Sequence, residues 1–197
     1  MPNDVSAEHR RTPSIYNIAN ALTLVRLALI PVFVWVAVES RFESSGFLMV
    51  AAGIFMLASA TDFVDGWLAR RRGLITAFGK IADPIADKLL IGSALILLSV
   101  WEQLPWWITG VILFREIGIT VLRFWVIRLG IIAASHGGKI KTVLQIAGIF
   151  WYLWPFPDPI AVVGPWLMGA AVLATVITGA EYVVQVVSLR RRASRRS

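Results

Sequence analysis

Six long apolar stretches dominate this sequence and limit what the chain can fold into. The hydrocarbon core of a bilayer is ~30 Å thick, and about 20 helical residues are needed to cross it. The stretches lie near residues 15–38, 46–70, 83–101, 105–129, 139–155 and 160–187. Only 16% of the 197 residues are charged, too few to cover the surface of a soluble domain of this length. The pattern predicts an all-α polytopic membrane protein, a bundle of six transmembrane helices.

The residue content also excludes several classes of protein. Cysteine is absent, so neither a disulfide framework nor a thiolate metal site is expected. The formal charge of +7 could indicate a nucleic-acid partner, but the basic residues cluster beside the apolar stretches. That placement is typical of membrane topology rather than of a basic groove, so no nucleic-acid partner is expected.

The basic residues predict how the chain is oriented in the membrane. The connections 39–45, 102–104 and 155–159 together contain one basic residue, Arg41. The opposite side receives Arg10, Arg11, Arg70, Arg71, Arg72, Lys80, Arg128, Lys139, Lys141 and the basic tail. By the positive-inside rule both termini are cytoplasmic, which agrees with an even number of spans.

The first apolar stretch follows Arg10 and Arg11 without a convincing cleavage site, so we expect it to be retained as a span. We expect a single membrane domain over residues 1–197, with a polar lead-in at 1–13 and a basic tail at 190–197. A compact chain without organelle targeting suggests the plasma membrane as its location.

Four aspartates lie where the second apolar stretch ends and the third begins, in DFVDGWLARRRGLITAFGKIADPIADK. Asp62 and Asp65 are three residues apart, and Asp83 and Asp87 are four apart, so each pair shares one helix face. Two neighbouring helices could therefore direct all four carboxylates at one volume. Four like charges at the edge of a bilayer need a counter-charge. Oxygen ligands without His or Cys favour hard cations, and two Mg²⁺ or Mn²⁺ ions would balance the four carboxylates.

Small residues and one arginine accompany the aspartates. Gly66, Ala69 and Gly79 would let a nucleotide approach the backbone closely, and Arg70 offers a planar fork for phosphate. The structural alternative is that the aspartates cap helices or pair with the arginines of the loop. That alternative is reasonable for one aspartate and weak for four with small residues interleaved.

Residues 62–87, a segment of 26 residues, fit the pattern D-x2-D-G-x2-A-R-x8-G-x3-D-x3-D at every fixed position. In this it resembles the CDP-alcohol phosphatidyltransferases. The resemblance implies two divalent ions that bridge the diphosphate of a CDP-linked lipid, and it implies a homodimer. By position, Asp62, Asp65 and Asp83 would be metal ligands, and Asp87 would be both a ligand and the base that takes the acceptor hydroxyl proton. The residues implied to border the cytidine and its phosphates are Gly66, Ala69, Arg70 and Gly79.

The fourth and fifth apolar stretches contain a second set of charges. Arg115, Glu116 and Arg123 interrupt the fourth, and Lys139 and Lys141 open the fifth. Ionisable groups inside a span are costly and imply a polar cavity, and several cations there suit a phosphorylated, water-soluble acceptor. Alternatively, each lysine is a topology charge and Glu116 pairs with one of the arginines. Nearby, His136 is more readily an ordinary loop residue, and Arg128 a cation that snorkels to the interface.

Polar residues also recur in the first stretch, as Asn20, Thr23 and Arg26. A three-residue spacing drifts only about 60° per step around a helix, so they form a slowly winding stripe that faces the bundle. Asn20 and Thr23 are candidates to bind the CDP diphosphate. Helix–helix hydrogen bonding is the competing interpretation for both.

The stripe and the charged fourth and fifth stretches resemble the branch of the family whose acceptor is glycerol 3-phosphate. The resemblance then implies transfer of the phosphatidyl group of CDP-diacylglycerol to that acceptor. Inositol phosphate, phosphatidylglycerol and serine remain alternative acceptors. Functions of other classes are a divalent-cation carrier and a CDP-lipid binding protein without catalysis. The carboxylates bracket a loop instead of lying midway on broken helices, which disfavours the carrier.

Overall fold

The computed structural model describes residues 18–72, 77–126 and 136–194, with side chains described at 20–63, 79, 82–122 and 138–188. Every regular element in these ranges is a helix. The helices are α1 (Ile18–Ser40), α2 (Ser45–Arg72), α3 (Ala77–Val100), α4 (Trp106–Val126), α5 (His136–Leu153), the single turn α6 (Asp158–Ala161) and α7 (Val163–Ser194). The six long helices coincide with the six apolar stretches, so the all-α prediction is confirmed.

Three segments have both the length and the apolar composition of a bilayer span. Within the described residues they are Asn20–Ser40, Ser45–Phe63 and Asp158–Ser188, the last of which runs through α6 and most of α7. Among its described side chains the helix α3 has three charged residues, Asp83, Asp87 and Lys88, and the side chains of α4 and α5 are described over less than the length of a span, at 106–122 and 138–153. Helices therefore occupy all six predicted places, and three of them have the composition of a membrane span.

Two tight turns lie close together at one end of the bundle. After α1, Arg41 and Phe42 adopt positive φ angles of 46° and 57°, and Ser40 Oγ accepts the Phe42 N–H at 3.2 Å. After α3, Glu102 turns the chain with a φ of 58°. The Phe42 ring lies 5.5 Å from that of Trp101, which joins the two turns. The connection between α2 and α3, beside the aspartates, is therefore at the opposite end.

Small buried residues allow α1 and α2 to pack closely. Ala37 of α1 and Ala51, Ala52 and Ala58 of α2 are fully buried, and the Phe33 and Phe55 rings fill the space between the helices at 5.7 Å. Lipid tails are as apolar as the side chains of a membrane helix, so the hydrophobic effect does not drive such helices together. Their association depends instead on close packing, which small residues allow. The α1–α2 pair also packs on α3, and α7 packs on α4 and α5. These contacts hold the polar faces of five helices in fixed registers.

Candidate functional site

The polar stripe of α1 contacts the aspartates of α2 and α3. Thr23 Oγ1 donates a hydrogen bond of 2.6 Å to Asp83 Oδ1. Arg26 Nη1 lies 2.7 Å from Asp62 Oδ1, and the arginine side chain is completely buried while that of Asp62 is 38% exposed. Because residues 23 and 26 are adjacent on one helix face, a single helix holds carboxylates from two others. The prediction that this stripe faces the bundle is confirmed, and Asn20 is buried on it as well.

Thr23 thus makes the helix–helix hydrogen bond that was the competing interpretation of the stripe. A hydroxyl that donates to a carboxylate still has lone pairs with which to accept other hydrogen bonds. The predicted contact of Asn20 and Thr23 with a nucleotide stays a prediction.

Asp87 lies one helical turn after Asp83, half-buried, where several helices converge. Its carboxylate interacts electrostatically with Asp62 of α2, with Glu116 of α4 and with Lys141 of α5. Asp62, Asp83 and Asp87 therefore lie at one end of the bundle, consistent with their positions near the end of the second apolar stretch and the start of the third. Of these three aspartates, Asp87 is the one for which the structure gives electrostatic interactions with α4 and α5, through Glu116 and Lys141.

The oxygen donors at this end have the chemistry that a hard divalent cation requires. Among the residues with described side chains, no three His, Cys, Asp or Glu residues form a group that could hold a metal ion. The fourth predicted ligand, Asp65, lies on α2 where side chains are outside the described residues. The four-aspartate centre therefore stays a prediction, with three of its members placed.

The same boundary applies to other predicted residues. Gly66, Ala69 and Arg70 lie on α2, Arg123 on α4 and His136 at the start of α5, but the side-chain positions at these places are outside the described residues. Arg128 falls wholly outside them. Gly79 lies in the first turn of α3 and is buried, and its place beside a nucleotide stays a prediction.

A second polar cluster joins α4 and α5. Glu116 Oε1 accepts a hydrogen bond from Arg115 Nη1 at 3.1 Å and another from Lys141 Nζ. The three side chains are 16%, 16% and 6% exposed for Glu116, Arg115 and Lys141 respectively. Glu116 thus makes the pairing with an arginine that was the alternative interpretation of these charges, and it pairs with the lysine too. Two cations on one carboxylate leave a net charge of about +1 in a largely buried place, which suits an anionic ligand.

Lys139 lies apart from this cluster. Its side chain is exposed, and two positions along a helix place it about 160° around from Lys141. Lys141 thus joins Arg115, whereas Lys139 faces elsewhere along α5. The predicted role of Lys139 in acceptor binding stays a prediction.

Residues of α7 complete the surroundings of Arg115, and the sequence analysis missed them. Thr178 Oγ1 accepts a hydrogen bond of 2.9 Å from Arg115 Nη2. Gly179 packs against the same side chain, because a Cβ there would lie 3.1 Å from Arg115 Cγ. One turn earlier, Thr175 links α7 to α5 through a 3.1 Å hydrogen bond from Gln145 Nε2. The three-residue spacing of the two threonines within an apolar stretch is the signal that could have found them, as it found Thr23 and Arg26.

Together the two clusters place acidic and basic groups side by side. The aspartates of α2 and α3 offer the oxygen donors that hard divalent cations prefer, and the cations of α4 and α5 would attract an anion. Asp87 lies between them and is a carboxylate that could accept a proton. This arrangement suits a transfer between two phosphorylated substrates.

Comparison with known proteins identifies relatives over most of the chain. The sequence model of the CDP-alcohol phosphatidyltransferase family matches residues 16–177. A probable phosphatidylglycerophosphate synthase of Mycobacterium tuberculosis (strain CDC 1551 / Oshkosh) is 50% identical over 171 residues, 87% of this chain and 82% of the relative. The CDP-diacylglycerol--glycerol-3-phosphate 3-phosphatidyltransferase of Bacillus subtilis (strain 168) is 39% identical over 85% of this chain and 94% of its own. The enzyme of that name from Escherichia coli (strain K12) is 41% identical over 71% of this chain and 78% of its own.

Loss of the buried Arg26 charge should destabilise the bundle, since Asp62 would lose a partner. We expect Arg26→Gln to lower the free energy of unfolding by about 1–3 kcal/mol, between the values for exposed and for fully buried pairs. Thermal unfolding in detergent measures this, with the exposed Arg41→Gln at the opposite end as the matched control. Equal melting temperatures for Arg26→Gln and wild type would contradict the structural importance of this pair.

Proposed function

The chain belongs to the CDP-alcohol phosphatidyltransferase family, and we propose that it transfers the phosphatidyl group of CDP-diacylglycerol to sn-glycerol 3-phosphate. The products are phosphatidylglycerophosphate and CMP. Relatives at 39–50% identity carry the names of enzymes of this reaction. The observation that carries the proposal for this chain is the convergence on Asp87 of an aspartate-rich end and a cationic cluster.

The donor half of the site lies between α1, α2 and α3. Asp62, Asp65, Asp83 and Asp87 would hold two divalent ions, Mg²⁺ or Mn²⁺, because carboxylate oxygens are the ligands these ions prefer. When bound, the ions neutralise the diphosphate of the donor and stabilise CMP as the leaving group. Thr23 and Arg26 support this half by fixing the orientation of Asp83 and Asp62 before any ligand arrives.

The nucleotide would lie along the small residues of the same end. Gly66, Ala69 and Gly79 leave room for the cytidine and its phosphates, and Arg70 offers a bidentate contact to phosphate oxygens. Asn20 and Thr23 would contribute polar contacts from α1. The burial of Asn20, Thr23 and Gly79 supports a sheltered position for this part of the ligand.

The acceptor half lies between α4 and α5. Arg115 and Lys141 would bind the phosphate of glycerol 3-phosphate, assisted by Arg123 near the end of α4, whereas the exposed Lys139 would contribute only its charge. The distances support Arg115 and Lys141 most directly, because both already meet at Glu116. A phosphate held there lies near Asp87, since Lys141 and Asp87 interact electrostatically.

Asp87 would act as the base. Its carboxylate takes the proton of the acceptor hydroxyl while the hydroxyl oxygen forms a bond to the lipid-side phosphorus of the donor. The bond from that phosphorus to the bridging oxygen breaks, and CMP leaves with its electron pair. Holding both substrates in one cavity makes the attack effectively intramolecular, which is a large part of the rate gain expected of such a site.

The membrane arrangement follows from the same chemistry. We propose that all six long helices cross the plasma membrane with both termini in the cytoplasm, as the distribution of basic residues predicts. The aspartate end then faces the cytoplasm, where glycerol 3-phosphate and CMP are soluble, and the acyl chains enter sideways from the bilayer. A homodimer is part of the proposal through the family resemblance.

Other functions make different predictions. Inositol phosphate would use the same cations and is the strongest alternative acceptor, whereas phosphatidylglycerol would place a lipid in the acceptor half. Serine would leave Arg115 and Lys141 without a phosphate to bind. A divalent-cation carrier would need no acceptor site, so the Arg115–Glu116–Lys141 cluster disfavours it.

The proposal predicts acceptor-dependent release of CMP. We expect purified protein with Mg²⁺ and CDP-diacylglycerol to release CMP and form phosphatidylglycerophosphate with glycerol 3-phosphate, and to form little product with the other acceptors. Mass spectrometry of the lipid and a CMP assay measure both products. CMP release with inositol phosphate alone would show that inositol phosphate is the acceptor. No CMP release with any acceptor would refute the proposed transferase activity.

The assignment of Asp87 as base predicts a large loss from an isosteric change. Asp87→Asn keeps the shape of the side chain but can neither take a proton nor carry charge, so we expect kcat to fall at least ~10³-fold. The matched control is Asp158→Asn at the exposed start of α6, which should retain wild-type turnover. Turnover within a few-fold of wild type in Asp87→Asn would refute its role.

A further inference from the structure

The Arg115 guanidinium is held from two helices at once. Nη1 donates to Glu116 Oε1 on its own helix at 3.1 Å, and Nη2 donates to Thr178 Oγ1 on α7 at 2.9 Å. A guanidinium is planar and rigid, so two bonds at separate nitrogens fix its plane as well as its position. The hydrogen bond to Thr178 on α7 therefore helps to set the orientation of the guanidinium plane.

The direction of the Thr178 hydrogen bonds is also determined. Its hydroxyl donates to backbone carbonyls within α7, to that of Ala174 at 2.7 Å and to that of Thr175 at 3.3 Å. Arginine can only donate, so the oxygen of Thr178 accepts from Arg115 through a lone pair. The hydroxyl thus connects the backbone of α7 to Arg115, because its proton is directed to the helix and its lone pair to the guanidinium.

Gly179 provides the space that this contact needs. A Cβ at residue 179 would lie 3.1 Å from Arg115 Cγ and 3.5 Å from its Nε. The first distance is too short for a comfortable contact between carbon atoms, so any larger residue would displace the arginine stem. The Gly179 position is therefore matched to the path of the Arg115 side chain across α7.

One nitrogen of the guanidinium has no partner among the described residues. In the described part of the chain, the buried Nε of Arg115 has no hydrogen-bond partner. A buried N–H without an acceptor is costly, and a ligand oxygen beside it would remove that cost. Since Nη1 and Nη2 each already make a hydrogen bond, the orientation set by Thr178 determines where the Nε–H points.

We propose that Thr178 and Gly179 are positioning residues for the acceptor: they seat Arg115 so that its guanidinium binds the acceptor phosphate. The inference rests on the proposed function and extends the acceptor half from α4 and α5 to α7. Both residues follow the segment 16–177 that matches the family model, so that match assigns them no role. They act through Arg115 and touch neither the donor nor the reacting atoms.

The test is a pair of variants at Thr178 with a control one turn away. Thr178→Val is close to isosteric and removes the lone pair that accepts from Arg115, whereas Thr178→Ser keeps it. Thr175→Val makes the same change on the same helix, where the hydroxyl bonds Gln145 instead. Each variant is assayed as the full chain with CDP-diacylglycerol, Mg²⁺ and varied glycerol 3-phosphate, and its melting temperature is measured in detergent.

We expect Thr178→Val to raise KM for glycerol 3-phosphate about 5- to 10-fold, the effect of one misdirected charged hydrogen bond. Its KM for CDP-diacylglycerol should be unchanged. Its kcat should stay within about threefold of wild type, because the lost contact holds the acceptor equally well in the ground state and in the transition state. Thr178→Ser should restore KM, and Thr175→Val should leave it at the wild-type value. Gly179→Ala, which displaces Arg115 without removing a polar group, should raise the same KM.

The outcomes separate this inference from the function on which it rests. If wild-type protein forms no product with glycerol 3-phosphate, both the proposed function and the inference are overturned. If wild type turns over normally and Thr178→Val keeps its acceptor KM, only the inference is overturned. A rise in both substrates' KM values, shared by Thr175→Val, would indicate a general packing role for α7 and would overturn it as well.

Discussion

Ionisable side chains in apolar helices must meet partners on other helices, and the rest of this structure depends on how they do so. A charged residue at the centre of a membrane helix costs about 2.5–3.5 kcal/mol on insertion scales, so it is kept where a partner or a polar cavity compensates it. Arg26 meets Asp62 and Thr23 meets Asp83, which connects α1 to α2 and to α3. The pairs that make the charges tolerable also set the helix registers.

The second cluster follows the same principle with a different result. Arg115 and Lys141 come from two helices and share one carboxylate oxygen of Glu116, so cations outnumber anions among the three. Glu116 permits the two cations to lie close together when no ligand is bound, and the remaining positive charge attracts an anion. The contacts of Arg115 and Lys141 with Glu116 thus join two helices and also hold two cations where a phosphorylated ligand could bind. Asp87 interacts electrostatically with both clusters, so it is positioned to act on two substrates bound side by side.

Much of this could be predicted from the sequence because the signals are local or periodic. Apolar stretches of the right length predicted six helices at the right places, and the positions of Asp62, Asp83 and Asp87 where the second stretch ends and the third begins predicted that they lie at one end. The polar stripe of α1 was predicted to face the bundle from its three-residue spacing. These inferences need only helix geometry, which does not depend on how the helices are arranged.

The partners across helices could not be predicted in the same way. Spacing within α4 does not reveal that Glu116 accepts from both Arg115 and Lys141, because that contact depends on the packing of α5. Thr178 and Gly179 were missed because a threonine and a glycine in an apolar stretch are ordinary membrane-helix residues until a cation is found beside them. Lys139 and Lys141 looked equivalent in the sequence, yet one is exposed and the other buried.

The central claim is that Asp87 lies between a donor half and an acceptor half. A structure determined with Mn²⁺, a non-transferable analogue of CDP-diacylglycerol and glycerol 3-phosphate tests it most directly. We expect manganese density at the aspartates of α2 and α3, the acceptor phosphate on Arg115 and Lys141, and an acceptor hydroxyl within hydrogen-bond distance of Asp87. An acceptor phosphate bound away from Arg115 and Lys141, or an Asp87 carboxylate turned away from the acceptor, would contradict it.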